Sequence, residues 1–476
     1  MKLKRRLRVS SEMIKHFSVS LFVLTWLICV ATAQTSAPPE VHAKLSFAEN
    51  KTVYRIGEPI KLVMDFTADR EGYMVEFLPD SNEPGSDTVV VSPDIGITRW
   101  FDEFTDNRAL GRHVSSTDKL TSSPKRVEII LNDRLRFDSA GNYSVYVTTR
   151  RISPATSDLR EQRQPFLTTT NSLSFKIEPM SEADETKEVK RLADLLDTKR
   201  GPQTDALASR QLSYLTGEPS TREKVRRFLD RDRDGNYRAH IWYGLFIARN
   251  RPLVLKLLEK GLHDPNVPVT FQILGATTRL KFILTHGIRE RGEPAPGMLE
   301  PGEDPRVREI REAYVAELAA SLSKRTGDNQ NTTAVTILTS VPPYTKSLTP
   351  GMREAQRILV EKFDTLHPYT QEWLLRVYWD SLRDTAVTPA LKKMLAAAEP
   401  TSKNVRETAL QRLMEMVTLE EARSYVVAEI REPRSTVDPK ILGALEEKSL
   451  PEVDAALLEQ IRRATQSSCF SPSDFE

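Results

Sequence analysis

A chain of 476 residues is too long for one hydrophobic core, so two or three domains are expected. With 39% hydrophobic and 28% charged residues and no low-complexity tract, its composition excludes a disordered or fibrous protein. Of 68 basic and 66 acidic residues, the first 33 positions hold six and one; the other 62 and 65 leave a net charge near −3, which argues against a general nucleic-acid-binding field.

The chain opens with a basic stretch, Lys2 to Arg8, followed by an apolar run from Phe17 to Val30 and by Ala31-Thr32-Ala33 before Gln34. That order is a secretory signal with a small-x-small cleavage site at Ala31, Ala33 and Gln34. The apolar run is about 14 residues, short of the roughly 20 that span a bilayer. Membrane attachment is therefore expected only through an uncleaved signal anchor. Cys29 lies within the signal, preceded by bulky Trp26, Leu27 and Ile28, a poor lipidation site. Cleavage leaves Cys469 as the sole thiol, so neither an intramolecular disulfide nor a Cys-based zinc site is expected. The mature protein is expected to be periplasmic or secreted.

After a spacer at 34–40, containing Ala37-Pro38-Pro39, the hydrophobic period becomes two. Ile60, Leu62, Met64 and Phe66 alternate with mostly polar neighbours, as do Val127, Ile129 and Leu131, then Tyr143, Val145 and Val147, then Leu173, Phe175 and Ile177. These read as half-buried antiparallel strands, and residues 41–178 are expected to form an immunoglobulin-like β-sandwich. Asp138-Ser139-Ala140-Gly141-Asn142-Tyr143 resembles the tyrosine-corner turn of such domains, and Tyr54-Arg55-Ile56-Gly57-Glu58-Pro59-Ile60 resembles a strand-opening turn of bacterial immunoglobulin-like modules. Residues 79–125 read as long loops. Within them Trp100, Phe101 and Phe104 are a candidate platform for a sugar or peptide, set against the reading that they plug the sandwich edge.

From 181 to 465 the period is that of helices. Ala208, Leu212 and Leu215 share a face, as do Val225, Phe228 and Leu229; Val254, Leu257, Leu258 and Leu262; and Val269, Ile273, Ala276 and Leu280. Further stripes fall at Trp373/Val377/Tyr378 and Val453/Leu457/Ile461. Such helices cannot bury a stripe alone, and an irregular HEAT-like α-solenoid is expected. Asp264-Pro265-Asn266-Val267-Pro268-Val269, Asp304-Pro305-Arg306-Val307-Arg308 and Asn404-Val405-Arg406-Glu407-Thr408-Ala409-Leu410 resemble HEAT-type turns: Pro stops one helix, Asp or Asn caps the next, and Val enters the stack. The tail at 466–476 has no periodicity and is expected to be disordered.

The whole arrangement, with Gly244-Leu245-Phe246 and the Leu262–Val269 stretch, resembles a group of uncharacterised exported bacterial proteins that pair an immunoglobulin-like sandwich with a HEAT-like helical array. That resemblance implies no activity. Asp230-Arg231-Asp232-Arg233-Asp234-Gly235-Asn236 starts like an EF-hand loop, with Asp230, Asp232 and Asp234 as calcium candidates. Ile241 stands where a closing Glu belongs, and a polar turn between helices is the favoured reading. The basic run Lys224, Arg226, Arg227, Arg231 and Arg233 interleaves with acids, as a solvated helix face does. Asn50, Asn142 and Asn331 open N-x-Ser/Thr sequons. Six histidines (42, 113, 240, 263, 286, 367) lack ligand spacing, and no catalytic motif is found, so neither a catalytic nor a cofactor site is assigned. The expectation is a non-enzymatic scaffold with a protein partner in the cell envelope. The alternatives are a glycan- or polymer-binding β-domain and a hydrolase with an unrecognised site.

Overall fold

A computed structural model describes residues 37–77, 87–100, 116–155, 165–198, 201–230, 236–287, 304–340, 348–396, 403–431 and 451–467. The chain divides into two units, Met1–Ser181 and Glu182–Glu476.

In the first unit the strands are β1 (Val41–Phe47), β2 (Val53–Arg55), β3 (Lys61–Ala68), β4 (Tyr73–Phe77), β5 (Asp87–Ser92), β6 (Ile97–Thr98), β7 (Ser116–Lys119), β8 (Lys125–Ile130), β9 (Arg136–Phe137), β10 (Gly141–Pro154), β11 (Phe166–Thr169) and β12 (Leu173–Glu178). β1, β3 and β8 form a three-stranded sheet, β6 and β9 a ribbon, and the others a seven-stranded sheet around β10. The 14-residue β10 pairs with β12 over Gly141–Val145, with β5 over Ser144–Thr149, with β11 over Thr148–Ile152 and with β4 over Ile152–Pro154. β2 joins this sheet parallel to β12, and all other pairs are antiparallel. Inward residues from all three sheets merge in one core, with Leu62, Met64, Phe66, Val145 and Val147 fully buried. At its centre Phe137, Tyr143 and Phe175 lie with ring centroids 5.2 to 5.8 Å apart. The Tyr143 hydroxyl donates to Ser139 O at 2.9 Å, the local geometry expected of that turn.

The expected class, an immunoglobulin-like β-sandwich followed by a HEAT-like α-solenoid, is corrected here. The described strands make small mixed sheets without closing into a sandwich, and most of the structure is helical. The physical reason is that alternation fixes which face of a strand is buried but not which strand it pairs with. The span expected as loops, 79–125, also holds β5, β6, β7 and the start of β8.

The second unit holds fifteen α-helices among the described residues: α1 (Glu182–Asp197), α2 (Pro202–Tyr214), α3 (Glu218–Leu229), α4 (Asn236–Ile247), α5 (Arg251–His263), α6 (Phe271–His286), α7 (Pro305–Ser321), α8 (Gly327–Thr339), α9 (Pro350–Glu361), α10 (Pro368–Val377), α11 (Trp379–Leu382), α12 (Thr388–Ala396), α13 (Lys403–Met416), α14 (Leu419–Arg431) and α15 (Pro451–Ser467). Pro stands in the first turn of α2, α3, α5, α7, α9 and α10, where its missing N–H costs nothing. Asp304 caps α7, its carboxylate accepting from Arg306 N at 2.9 Å. Early helices pack on their neighbours and next neighbours, α1 on α2 and α3, and α2 on α4. Further on a longer-range pairing appears, with α10 on α13, while helix length varies from 4 to 17 residues, so no constant unit recurs.

The core stripes are largely those of the sequence pattern: Leu212, Val225, Phe228, Val254, Leu258, Ile273, Ala276 and Leu280 are buried. On α15 the stripe shifts to Val453 and Ala456, leaving Ile461 exposed. The basic run also departs from expectation. Arg226 is exposed and paired with Glu223, but Lys224 and Arg227 are fully buried.

Candidate functional site

A groove of about 600 Å³ lies where the N-terminal turn of α6, one side of α8 and the entry to α10 meet. Each wall has a local cause. Pro268 stops the preceding turn and Thr270 caps α6, its hydroxyl accepting from Ile273 N at 3.3 Å. The α6 stripe begins at Ile273, so Phe271 points away from the core and is 40% exposed. At α10, His367 caps with Nδ1 accepting from Tyr369 N at 3.2 Å, and Pro368 opens the helix. Tyr369 precedes the buried positions Gln371, Leu374 and Leu375 and is 72% exposed. Trp373, half-buried on the same helix, meets the Tyr378 ring edge-on at 4.9 Å. Tyr378 in turn donates to Thr339 O at 3.2 Å, which ties α10 to the end of α8.

The floor is α8, a helix unusually rich in threonine. β-Branched residues are poor helix formers, so their presence here calls for tertiary reasons. Thr333 and Thr336 supply one: Thr333 Oγ1 accepts from Val269 N at 3.3 Å, and Thr336 Oγ1 donates to Val269 O at 2.8 Å. The two hydroxyls thus satisfy both backbone groups of the residue just ahead of α6. Thr339 Oγ1 donates to Val335 O at 2.8 Å, and Thr365 Oγ1 donates to Lys362 O at 2.8 Å. With those protons committed, the oxygens of Thr336, Thr339 and Thr365 can only accept from anything else. Asn331 also lines the groove; it is 9% exposed, and its Oδ1 is buried without a hydrogen-bond partner among the protein atoms. Among the described residues of the lining, Asp328 is the only Asp or Glu, and there is no Lys or Arg. The arrangement is a rim of three aromatic rings over a floor of hydroxyl and amide side chains, which suits binding a ligand with an apolar face and polar groups.

The residues singled out from sequence fall elsewhere. Trp100 is buried at 4% exposure, and its Nε1–H donates to Asn132 O at 3.0 Å, so its ring is not offered to a ligand. Phe101 and Phe104 lie outside the described residues, as do Asp232, Asp234 and the cleavage positions Ala31, Ala33 and Gln34. Asp230 is the residue that ends α3. No cluster of three or more potential metal ligands occurs among the described residues, and no described helix is long and apolar enough to cross a membrane. Of the sequons, Asn331 is enclosed in α8, whereas Asn50 and Asn142 are exposed. Sequence reasoning missed the groove. Phe271 and Tyr369 each precede a stripe and belong to no periodic pattern, and the one available signal was the recurrence of Thr at 332, 333, 336 and 339 in a helical segment.

No protein-family model and no curated sequence matches the chain. Among solved structures, it is similar to native E. coli alpha-2-macroglobulin, at 10% identity and a TM-score of 0.17, over 90% of this chain and 26% of that one. A Salmonella alpha-2-macroglobulin mutant gives 10% identity and a TM-score of 0.18, over 90% and 26%. The chain spans about a quarter of the length of both, and likeness at that level carries no argument about fold or function.

Proposed function

We propose that this is a non-enzymatic, exported binding protein that holds a protein partner of the cell envelope on its helical unit. Export rests on the basic stretch, apolar run and Ala-Thr-Ala site at the N-terminus. Partner binding rests on one observation: Phe271 and Tyr369, distant in sequence, are exposed on a single groove with Trp373. Large rings at a concave site are what protein interfaces are built around, because they bury much apolar area at little cost in side-chain entropy. The glycan reading placed on the β-unit loses support, since Trp100 is enclosed.

The test is site-specific photo-crosslinking. A photoreactive phenylalanine in place of Tyr369 is irradiated in envelope extract, and the adducts are identified by mass spectrometry. One recurrent protein adduct, absent when the photoreactive residue replaces the distant, exposed Leu207, supports the reading. Adducts that are the same from both positions, or only to wall polymer, overturn it.

A further inference from the structure

We propose that the open edge of β8 pairs antiparallel with β8 of a second copy of this chain, Arg126 lying opposite Glu128 of that copy and Glu128 opposite its Arg126. The inference concerns the first unit and does not depend on the partner-binding reading placed on the helices. It starts from an asymmetry between the two edges of one sheet, in which β1 and β8 flank β3. Ala48 N donates to Lys61 O, so the even-numbered residues of β1 face β3 and its odd-numbered residues face outward. That outer edge is occupied. Val41 N donates to Pro38 O at 3.0 Å, and Asn50 N donates to Phe47 O at 3.4 Å. Between them the Asn171 side chain takes both groups of Leu45, accepting from its N at 2.7 Å and donating to its O at 3.1 Å.

The edge of β8 is different. Leu131 N donates to Ile60 O at 3.0 Å, continuing the β3 register, so Lys125, Val127 and Ile129 face β3 while Arg126 and Glu128 turn their N–H and C=O outward. Among the described residues no hydrogen bond reaches those outward groups. Such an edge is a template for another strand. Only outward-facing residues can exchange bonds, so the pairing moves in steps of two, and charge selects the step. With Arg126 opposite Glu128 of the second copy, two opposite-charge pairs form, Val127 meets its counterpart on the two-fold axis, and every outward group of Arg126 and Glu128 is bonded. Sliding one strand by two residues sets Glu128 on Glu128 or Arg126 on Arg126, and like charges directly opposite repel. Both side chains are exposed on one face; Arg126 gives its Nε to Asp65 at 3.1 Å, and Glu128 has no ion pair among the described residues. Edge charges of one sign would repel a second copy, but here the two signs alternate. Because β1 is sealed, the assembly closes at two copies.

The experiment is sedimentation equilibrium of the purified protein over a range of about 1–300 μM. The expected result is a monomer–dimer equilibrium with a Kd on the order of 10–100 μM, as a small edge-to-edge contact gives. Glu128→Pro removes one outward N–H and one charge, at an edge position where Pro is tolerated. Its Tm should stay near that of wild type while the Kd rises about tenfold or more. Glu128→Arg and Arg126→Glu each set like charges opposite one another, and each should weaken self-association by about tenfold. Mixed in equal amounts, the two variants carry complementary edges and should form a heterodimer at least as tight as the wild-type dimer. Should Glu128→Pro lower Tm markedly, the charge variants and their mixture decide alone.

A monomer at every concentration overturns the inference. So does self-association that none of the variants weakens, which would place the contact elsewhere in the chain. Charge variants that fail to associate when mixed reject this register, and with it the proposal. Species larger than a dimer overturn it too, because Asn171 closes the other edge of the sheet. Hydrogen exchange read by mass spectrometry tests the remaining occupant: a monomer whose 122–131 amides gain protection only on adding envelope extract would give the edge to a strand of another protein, and self-pairing would fall.

Discussion

The two units bury cations in different ways, and the contrast follows from their backbones. In the β-unit, Arg151 is enclosed against a carboxylate: its Nη2 donates to Asp87 Oδ2 at 2.7 Å, with side-chain exposures of 2% and 0%. Thr149 Oγ1 donates to the same carboxylate at 2.7 Å. In the helical unit, buried cations go chiefly to carbonyls at helix ends. Lys224 Nζ donates to Leu215 O, just past α2, at 2.7 Å and to Gly244 O, in the last turn of α4, at 3.0 Å. Arg325 donates to Leu262 O and Val267 O at and beyond the end of α5; half-buried Arg412 sends Nε to Leu375 O in the last turn of α10 at 2.9 Å and also pairs with Glu415. Arg227 does both, reaching Ala193 O at 3.1 Å as well as Asp197 and Glu223. A sheet satisfies most of its own carbonyls through the ladder, although Arg151 Nη1 also reaches Glu76 O in β4 at 3.1 Å, whereas every helix leaves about four carbonyls unbonded at its C-terminus. A stack of short helices has many such ends, and a cation from a neighbour suits both the lone pairs and the helix dipole.

The sharpest way to break this contrast is to remove the β-unit's carboxylate. Asp87→Ala strands an enclosed Arg151 and should cost about 3–5 kcal/mol, read as a lower urea midpoint for the β-unit transition. Adding Arg151→Met should restore most of the loss, because an apolar pair can replace a buried ion pair. Lys224→Met is expected to cost less, about 1–3 kcal/mol, from leaving buried carbonyls short of a donor. No second-site apolar substitution should rescue the loss at Leu215 O and Gly244 O, because those partners are main-chain atoms. A rescuable Lys224→Met, or an Asp87→Ala that Arg151→Met does not repair, would erase the distinction.

The β-unit also stores a titratable contribution. Burial first, then the charges of Glu58 and Glu49, push the Tyr54 hydroxyl from its ordinary 10.0 up to about 12. That hydroxyl donates to Lys51 O at 2.6 Å. The folded state thus holds the proton more tightly than the unfolded chain does. The resulting stability is complete below pH 10 and is lost as the pH rises towards 12, by on the order of 2 kcal/mol. Tyr54→Phe lacks this titration, so the gap in unfolding free energy between wild type and variant should shrink between pH 9 and pH 12. A constant gap would show that Tyr54 titrates alike in both states.

What could be read from sequence was local, and what could not was long-range. Ile60, Leu62, Met64 and Phe66 are all fully buried, because strand alternation alone decides which face turns inward. Sheet order escaped, because nothing in β10 announces that its 14 residues serve four partner strands. The burial of Lys224 and Arg227 escaped because a charged run reads as solvated until the carbonyls facing it are known. Trp373, Val377 and Tyr378 read as one apolar stripe, yet Val377 is exposed and Trp373 turns its ring to the groove. Asn331 was visible only as a sequon. Its unpaired oxygen is a property of the packed helices, as is the meeting of Phe271 with Tyr369.

The smallest expected effect completes the contrast by setting an exposed cation beside the buried ones. On α9, Arg357 pairs with Glu354 at 2.8 Å and with Glu361 at 3.1 Å, at the i,i+3 and i,i+4 spacings that bring helix side chains together. The pair with Glu354 holds the Arg357 guanidinium above its ordinary pKa and Glu354 below its own, so both are charged at neutral pH. All three side chains stand well out in water, with 61%, 40% and 62% exposed, where screening leaves little net gain. Arg357→Ala should therefore change stability by less than about 0.5 kcal/mol, with the difference vanishing at molar salt. Lys224→Met should keep most of its cost at the same salt, since Leu215 O and Gly244 O are dipoles facing a buried ammonium, beyond the reach of counterions. If raising the salt concentration moved both variants together, burial would not be what separates them.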